Sequence, residues 1–242
     1  MFSSILRSYR NLFAVAFSIG SVFLLQGACV GGVIFQDDFD STPSPLWGNQ
    51  AGSWSTTSGR YSASASNNWP HSRSILSLSV TDFVLEVDVF DIADGGIWLR
   101  GDADGRNGIL LVTGGEGWGF GRRDGNAGTA LYWHRVIDGV VNPIEGEVSF
   151  LFTPEVSDTH LRVEVIGDKY AAFVSGHAGP VTTLETSLFS TGHVGLYDFS
   201  VQSFDNFVLS APAAVPEPAS IAMWGAGAIG AFAVRRRRQP RP

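Results

Sequence analysis

Between residues 33 and 210, apolar side chains recur at every second position rather than at helical spacing. Asp82-Phe83-Val84-Leu85-Glu86-Val87-Asp88-Val89 places Phe83, Leu85, Val87 and Val89 on one side of an extended chain. His160-Leu161-Arg162-Val163-Glu164-Val165 repeats the alternation. Side chains of a strand point to opposite faces in turn, so both stretches predict strands with one buried face. Gly167-Asp168 lies between the strand-like segments 163–166 and 170–174, which predicts a tight hairpin. Further strands are expected at 75–78, 97–100, 109–112, 118–122, 130–134, 148–152, 194–197 and 204–209, with glycine-rich turns between them. No stretch of this region keeps a 3.6-residue apolar period, and no repeat of 20–50 residues is visible. The expectation is an all-β, antiparallel sandwich or jelly roll rather than a propeller or solenoid.

Both ends break this pattern. Arg7 and Arg10 precede an apolar run at 12–25 and then the small residues Gly27, Ala28, Gly31 and Gly32. A positive start, a short apolar stretch and a small-residue zone are the order of a cleaved secretory signal. A retained N-terminal anchor is the alternative, although the run falls short of the ~20 residues a span needs. Leu25-Gln26-Gly27-Ala28-Cys29 approaches a lipidation box, with the leucine one position too far from the cysteine. At the other end Pro216-Glu217-Pro218 leads into an apolar stretch at 219–234 and then Arg235-Arg236-Arg237-Arg238. As a helix this stretch would be roughly 24 Å long, against a hydrocarbon core of about 30 Å. Gly225, Gly227 and Gly230 weaken it further. Clustered arginines stay on the cytoplasmic side, which puts the domain outside, as the N-terminal signal also requires. The expected organisation is a signal and cleavage region at 1–32, a sandwich at 33–210, a linker at 211–215 and a targeting tail at 216–242.

Charge changes the picture once the ends are set aside. The chain has 16 basic and 23 acidic residues, but the region between the terminal segments keeps only 9 basic against 22 acidic. So acidic a surface repels phosphates, and no basic stripe offsets it, so no nucleic acid is expected as a partner. Cys29 is the chain's one cysteine and lies in the cleavage region, which removes thiol nucleophiles and zinc-thiolate sites from the domain.

The triplet Pro216-Glu217-Pro218, the glycine-bearing apolar stretch and the arginine cluster resemble the PEP-CTERM sorting signal. That resemblance implies recognition by an exosortase, transient residence in the inner membrane, and an association with exopolysaccharide. The domain resembles the concanavalin A-like jelly roll, in its LamG-like and sugar-hydrolase-associated branches. The residues that carry this likeness are Phe35-Gln36-Asp37-Asp38-Phe39-Asp40, Trp47, Gly52-Ser53-Trp54 and Gly59-Arg60-Tyr61 at the start. Later come Val165-Ile166-Gly167-Asp168-Lys169-Tyr170, Gly192-His193-Val194-Gly195-Leu196-Tyr197 and Phe204-Asp205-Asn206-Phe207-Val208-Leu209. It implies that the first and last strands lie side by side, pairing 34–39 with 204–209 along one edge and burying Phe39 and Phe207.

Four groups of residues are candidates for chemistry. Glu86, Asp88 and Asp91 approximate the Glu-x-Asp-x-x-Glu strand of retaining glucanases on this fold, where one carboxylate attacks and another delivers a proton. Aspartate at 91 is one methylene short, and misplacing the acid by about 1 Å costs on the order of 100-fold. Strand alternation alone also accounts for Glu86 and Asp88. Asp102-Ala103-Asp104-Gly105-Arg106-Asn107-Gly108 has the alternating oxygens of half a calcium loop but no following glutamate, and a polar hairpin turn uses the same residues. Asp38 and Asp205 are a second pair for calcium, since paired end strands would bring them together. Trp98, Trp118 and Trp133 suit a platform for sugar rings or a sandwich core. The five histidines show no ligand spacing, and neither the 62–66 serine run nor the 114–119 glycine run has the setting of a nucleophile elbow or phosphate loop. Three functions remain: a non-catalytic surface or matrix protein that binds exopolysaccharide, a glycoside hydrolase, and a structural surface protein without a small ligand.

Overall fold

A computed structural model describes residues 31–66, 72–115, 130–150, 158–200 and 202–213. Fourteen strands run in chain order through them: β1 (Val33–Asp37), β2 (Trp54–Thr57), β3 (Arg60–Ala63), β4 (Ser72–Val80), β5 (Phe83–Phe90), β6 (Gly95–Gly101), β7 (Gly108–Gly115), β8 (Ala130–Ile137), β9 (Val140–Phe150), β10 (Thr159–Ile166), β11 (Lys169–Val174), β12 (Thr182–Glu185), β13 (Gly192–Asp198) and β14 (Ser203–Ser210). They form an eight-stranded sheet in the order β12-β11-β10-β5-β14-β3-β2, with β1 also paired to β14, and a six-stranded sheet in the order β4-β13-β6-β7-β8-β9. The architecture is the expected antiparallel jelly roll. Among the described residues no helix is long and apolar enough to cross a membrane; both terminal segments and the predicted strand at 118–122 lie outside them.

Alternation does what it promised. Phe83, Leu85, Val87 and Val89 of β5 are wholly buried against Ile97, Leu99, Ile109 and Leu111 in one core between the sheets. Each such side chain contributes about 1.5–3 kcal/mol by leaving water. Gly167 has φ +56, as a type II′ hairpin asks of its first central residue, and Ile166 pairs with Lys169 across it. The second hairpin tip, Asp138-Gly139, has both φ values positive, +52 and +80, the type I′ condition. It fuses β8 to an 11-residue β9, where the sequence predicted only 148–152. Pro143 hid this strand, and it is tolerated because β9 is the outermost strand of its sheet.

Strand β1 runs antiparallel to β14, with Val33 opposite Ser210 and Asp37 opposite Phe207. β14 is not itself an edge. Its far side pairs with β5, and the side that takes β1 at 207–210 takes Tyr61 of β3 at Phe204. Where these meet, an aromatic cluster gathers the opening and closing motifs. Phe39 stacks on Tyr61 with centroids 4.8 Å apart, and Trp47 meets Phe207 edge-on at 4.9 Å. Asp37 holds the cluster's loop by accepting from the Phe39 amide at 3.1 Å, the Ser44 amide at 2.8 Å and Trp47 Nε1 at 3.0 Å.

Candidate functional site

Strand parity decides which side chains can meet. On β5, Val84, Glu86, Asp88 and Phe90 face outward from the eight-stranded sheet, opposite the buried set. Register places Asp88 between His160 of β10 and Asp205 of β14, and Glu86 between Arg162 and Val208. His160 Nδ1 lies 2.7 Å from Asp88 Oδ1, and its Nε2 lies 3.6 Å from Glu86 Oε1, so one imidazole bridges two carboxylates. Asn206, at φ +49, donates its Nδ2 to Asp88 Oδ2 at 2.9 Å. Towards β11, Arg162 pairs with Glu164 and lies 4.8 Å over the Phe173 ring. Towards β3, Arg60 sits 3.7 Å over Phe90 and 3.4 Å from Asp91 Oδ2. These residues form a polar stripe across β3, β14, β5, β10 and β11, a width of about 19 Å at ordinary strand spacing. Side-chain exposures of 40% for Glu86 and 45% for His160 make it a surface, not a pocket. An open cleft of about 280 Å³ adjoins it, lined by Gln36, Asp37, Asp38, Asn206, Phe207 and Val208.

The sequence-predicted residues are distributed unequally over this site. Glu86 and Asp88 are joined through His160. Asp91 has left the strand, at φ +53; its amide donates to Asp158 and its carboxylate faces Arg60, partners it shares with neither of the other two. Asp205 lies within the negative field of Asp40, Asp88 and Asp38. Partial burial raises its pKa, the Asn206 amide opposes that, and the charges of Asp40, Asp88 and Asp38 raise it further. Asp102 is absorbed by its own turn. Its Oδ1 accepts from the Arg106 amide at 2.7 Å and its Oδ2 from Asn107 Nδ2 at 2.8 Å. Partial burial opposes ionisation, but these bonds and the Asn107 and Gly105 amides outweigh it and hold Asp102 below the usual carboxylate range. Asp104 offers its backbone carbonyl to Arg73 Nε at 2.7 Å. This is the polar hairpin reading of the 102–108 segment. Among the described residues no group of three or more His, Cys, Asp or Glu is arranged to hold a metal ion.

The tryptophan platform needs correction. Trp133 points between the sheets, wholly buried, with its Nε1 donating to Thr182 Oγ1 at 2.9 Å. Trp98 points to the outer side of the six-stranded sheet, where it too is wholly buried, with Ile75, Leu110, Val112, Tyr132, Val136 and Tyr197. Neither ring has a face free to stack on a sugar, and their opposite parity keeps them on different sides of one sheet. Trp118 lies outside the described residues.

Two buried ionisable groups were not anticipated. Arg100, at φ +48, is buried and donates to the carbonyls of Thr81 at 2.8 Å, Gly167 at 2.7 Å and Phe189 at 3.0 Å, and to Asp82 at 3.1 Å. It ties three turns from both sheets together at one end of the sandwich. Asp198 is wholly buried at the other end of β13, and that burial pushes its pKa up to about 6. Its Oδ2 lies 2.6 Å from Ser66 Oγ, and its Oδ1 accepts from the amides of Ser200 at 3.0 Å and Gln202 at 3.3 Å. The only signal for Arg100 was a lone charge inside Gly95-Gly96-Ile97-Trp98-Leu99-Arg100-Gly101.

The two-sheet antiparallel architecture with this strand order defines a concanavalin A-like jelly roll. Residues 214–238 match the PEP-CTERM protein-sorting motif, the mark of an exported protein. A carbohydrate-binding module, CBM66, from Bacillus subtilis has a similar structure at a TM-score of 0.55 and 20% identity, covering 69% of this chain and 96% of that one. A Bacillus subtilis protein of unknown function with a galectin-like fold is similar at a TM-score of 0.56 and 12% identity, covering 75% and 96%. No curated protein matches the chain.

Proposed function

We propose that this protein is displayed at the cell surface or in the extracellular matrix and binds polysaccharide without cutting it. The observation that carries this reading is the exposed stripe centred on Glu86, His160, Asp88 and Asn206. It presents carboxylate, imidazole, amide and guanidinium groups along one line, the complement of a chain of sugar hydroxyls. The fold shared with a carbohydrate-binding module agrees with it. Asp91 is held by Arg60 instead of joining Glu86 and Asp88, which leaves the double displacement of a retaining hydrolase without its proton donor. The tail supports the route: residence in the inner membrane, removal of 219–242 by an exosortase, then release to the surface. A shallow stripe gives modest affinity per site, and clustering at the surface supplies avidity.

Retention of the purified protein on extracellular polysaccharide and on a panel of β-glucans tests this reading. Binding should fall at least tenfold in Asp88→Ala and His160→Ala, and no new reducing ends should form. Release of reducing sugar that Glu86→Gln abolishes would make the protein a glycoside hydrolase. Failure to be retained on any polysaccharide would leave a structural surface role. Intact mass of the surface-released protein should lack the arginine-terminated segment; a mature form still ending in Arg241-Pro242 would contradict processing.

A further inference from the structure

We infer that the end of the sandwich formed by the 81–82, 138–139, 167–168 and 186–191 turns is a membrane-facing surface, resting on lipid while the tail is still attached. The chain's two exits define this end. The Ala211 amide donates to the Gly32 carbonyl at 2.9 Å, so the segment leading from the N-terminus and the segment leading to the sorting motif leave the fold side by side. Register carries the assignment across both sheets. Ser210 is opposite Val84, Val165 opposite Phe83, Val80 opposite Gly192, His193 opposite Gly101, and Gly108 opposite Val136, so all four turns lie at the exit end, while the 102–107 hairpin folds its tip back onto Gln50 and Arg73.

The leash is short. Eight residues, 211–218, separate β14 from the apolar stretch of the tail, and three of them are proline. In an extended proline-rich form they reach about 25 Å. A domain of this size is about 40 Å across. The opposite end of the sandwich therefore cannot turn to the membrane while the tail is inserted. The choice left is between lying end-on and lying on a side.

Surface composition makes that choice. Among the described residues, Val33, Ile34, Ile137, Val140, Ile166 and Leu188 are exposed large apolar side chains at the exit end, and only Leu46 and Phe199 are exposed elsewhere. Val33, Val140 and Ile166 are at least half exposed, and the last two flank hairpin tips. The outer side of the eight-stranded sheet instead carries Glu86, Asp88, His160, Arg162 and Glu164, whose desolvation against lipid is unfavourable. The end bears Asp138 and Asp168 as well, so contact comes from the apolar rim and the leash, not from attraction to anionic headgroups. The polar stripe then stands sideways to the membrane, open to solvent.

The test uses the full chain with its tail, in a Cys29→Ser background, reconstituted into phosphatidylcholine vesicles containing a spin-labelled lipid. A fluorophore is attached at Asp168→Cys, on the 167–168 turn, or at Ala178→Cys, in the 175–181 loop at the opposite end; both sites are exposed. Quenching at 168 should exceed that at 178 several-fold. Equal quenching, or stronger quenching at 178, would overturn the assignment. Adding Val140→Ser and Ile166→Ser, two exposed positions, should cut the quenching at 168 by half or more. Unchanged quenching would show that the leash alone holds this end near lipid, and would overturn the apolar contact.

Discussion

The two outward faces of the sandwich differ as much as the two halves of an interface. That of the eight-stranded sheet is polar and solvated, with its charges paired, Asp88 with His160 across strands and Arg162 with Glu164 along β10. That of the six-stranded sheet is a second apolar layer, in which Trp98, Tyr132 and Tyr197 are buried as deeply as the residues between the sheets. Strands of the first sheet alternate buried and half-exposed residues, whereas β6 and β7 are buried at every position. A strand covered on both sides has only stability to contribute at its outer positions. A strand covered on one side is free to carry polar groups. The functional stripe therefore belongs to the first face, and aromatic residues on the second mark packing.

This contrast predicts unequal responses to truncation. Trp98→Ala, on the covered face, should cost about 3–5 kcal/mol through lost burial and a residual cavity. Glu86→Ala, on the open face, should change stability by under about 1 kcal/mol, as exposed ion pairs do. Denaturant midpoints of the two variants measure the difference; similar losses would erase the distinction. Phe207→Ala, in the aromatic cluster beneath the cleft, should behave like Trp98→Ala.

Arg100→Ala should be nearly as damaging, about 3–5 kcal/mol, because three turn carbonyls lose a charged donor together. Hydrogen exchange should then rise in the 81–82, 167–168 and 186–191 turns before it rises elsewhere. Loss of protection spread evenly over both sheets would argue against a local staple.

Asp198 lends the molecule a pH dependence. Its carboxyl titrates near the usual 3.8 when unfolded and at about 6 when folded, so the native state binds the proton more tightly. Stability should fall as pH rises from 4 to 6 and stay lowered above 6, by about 3 kcal/mol in all. In the neutral form the acid proton can reach Ser66 Oγ, whose own hydroxyl then serves the Ala63 carbonyl 3.3 Å away. Asp198→Asn keeps that donor, so it should stabilise the protein at pH 7.5, leave it unchanged at pH 4, and flatten the profile between. A wild-type profile already flat from pH 4 to 7 would contradict this. The smallest effect on stability is expected from Asp88→Ala, under about 1 kcal/mol, although its effect on polysaccharide retention should be large.

Period-two alternation made β5 and β10 legible before any coordinates, and with them the outward position of Glu86 and Asp88. The pairing of β1 with β14 was legible through the resemblance of the opening and closing motifs to the concanavalin A-like jelly roll, whose first and last strands lie side by side. Alternation is silent where both sides of a strand are covered. In β6, β7 and β8 the runs 97–99, 109–112 and 130–133 are apolar without a break, so the chain does not disclose which of Trp98 and Trp133 faces which layer. His160 and Asn206 stayed hidden because their importance is a matter of register: each matters only as the neighbour of Asp88 on a strand distant in sequence. Arg100 and Asp198 were missed because a charge within an apolar stretch reads as a strand end, and here both are at strand ends and buried.

Hydroxyl-radical footprinting of the protein, free and saturated with extracellular polysaccharide, reads out whether the polar stripe is the binding face. Protection is expected at Phe90, His160 and Phe173, along the stripe, with no change at Phe199 or in the 175–181 loop. Protection confined to strands β4, β13 and β6 of the six-stranded sheet, with Phe90, His160 and Phe173 as reactive as before, would contradict it.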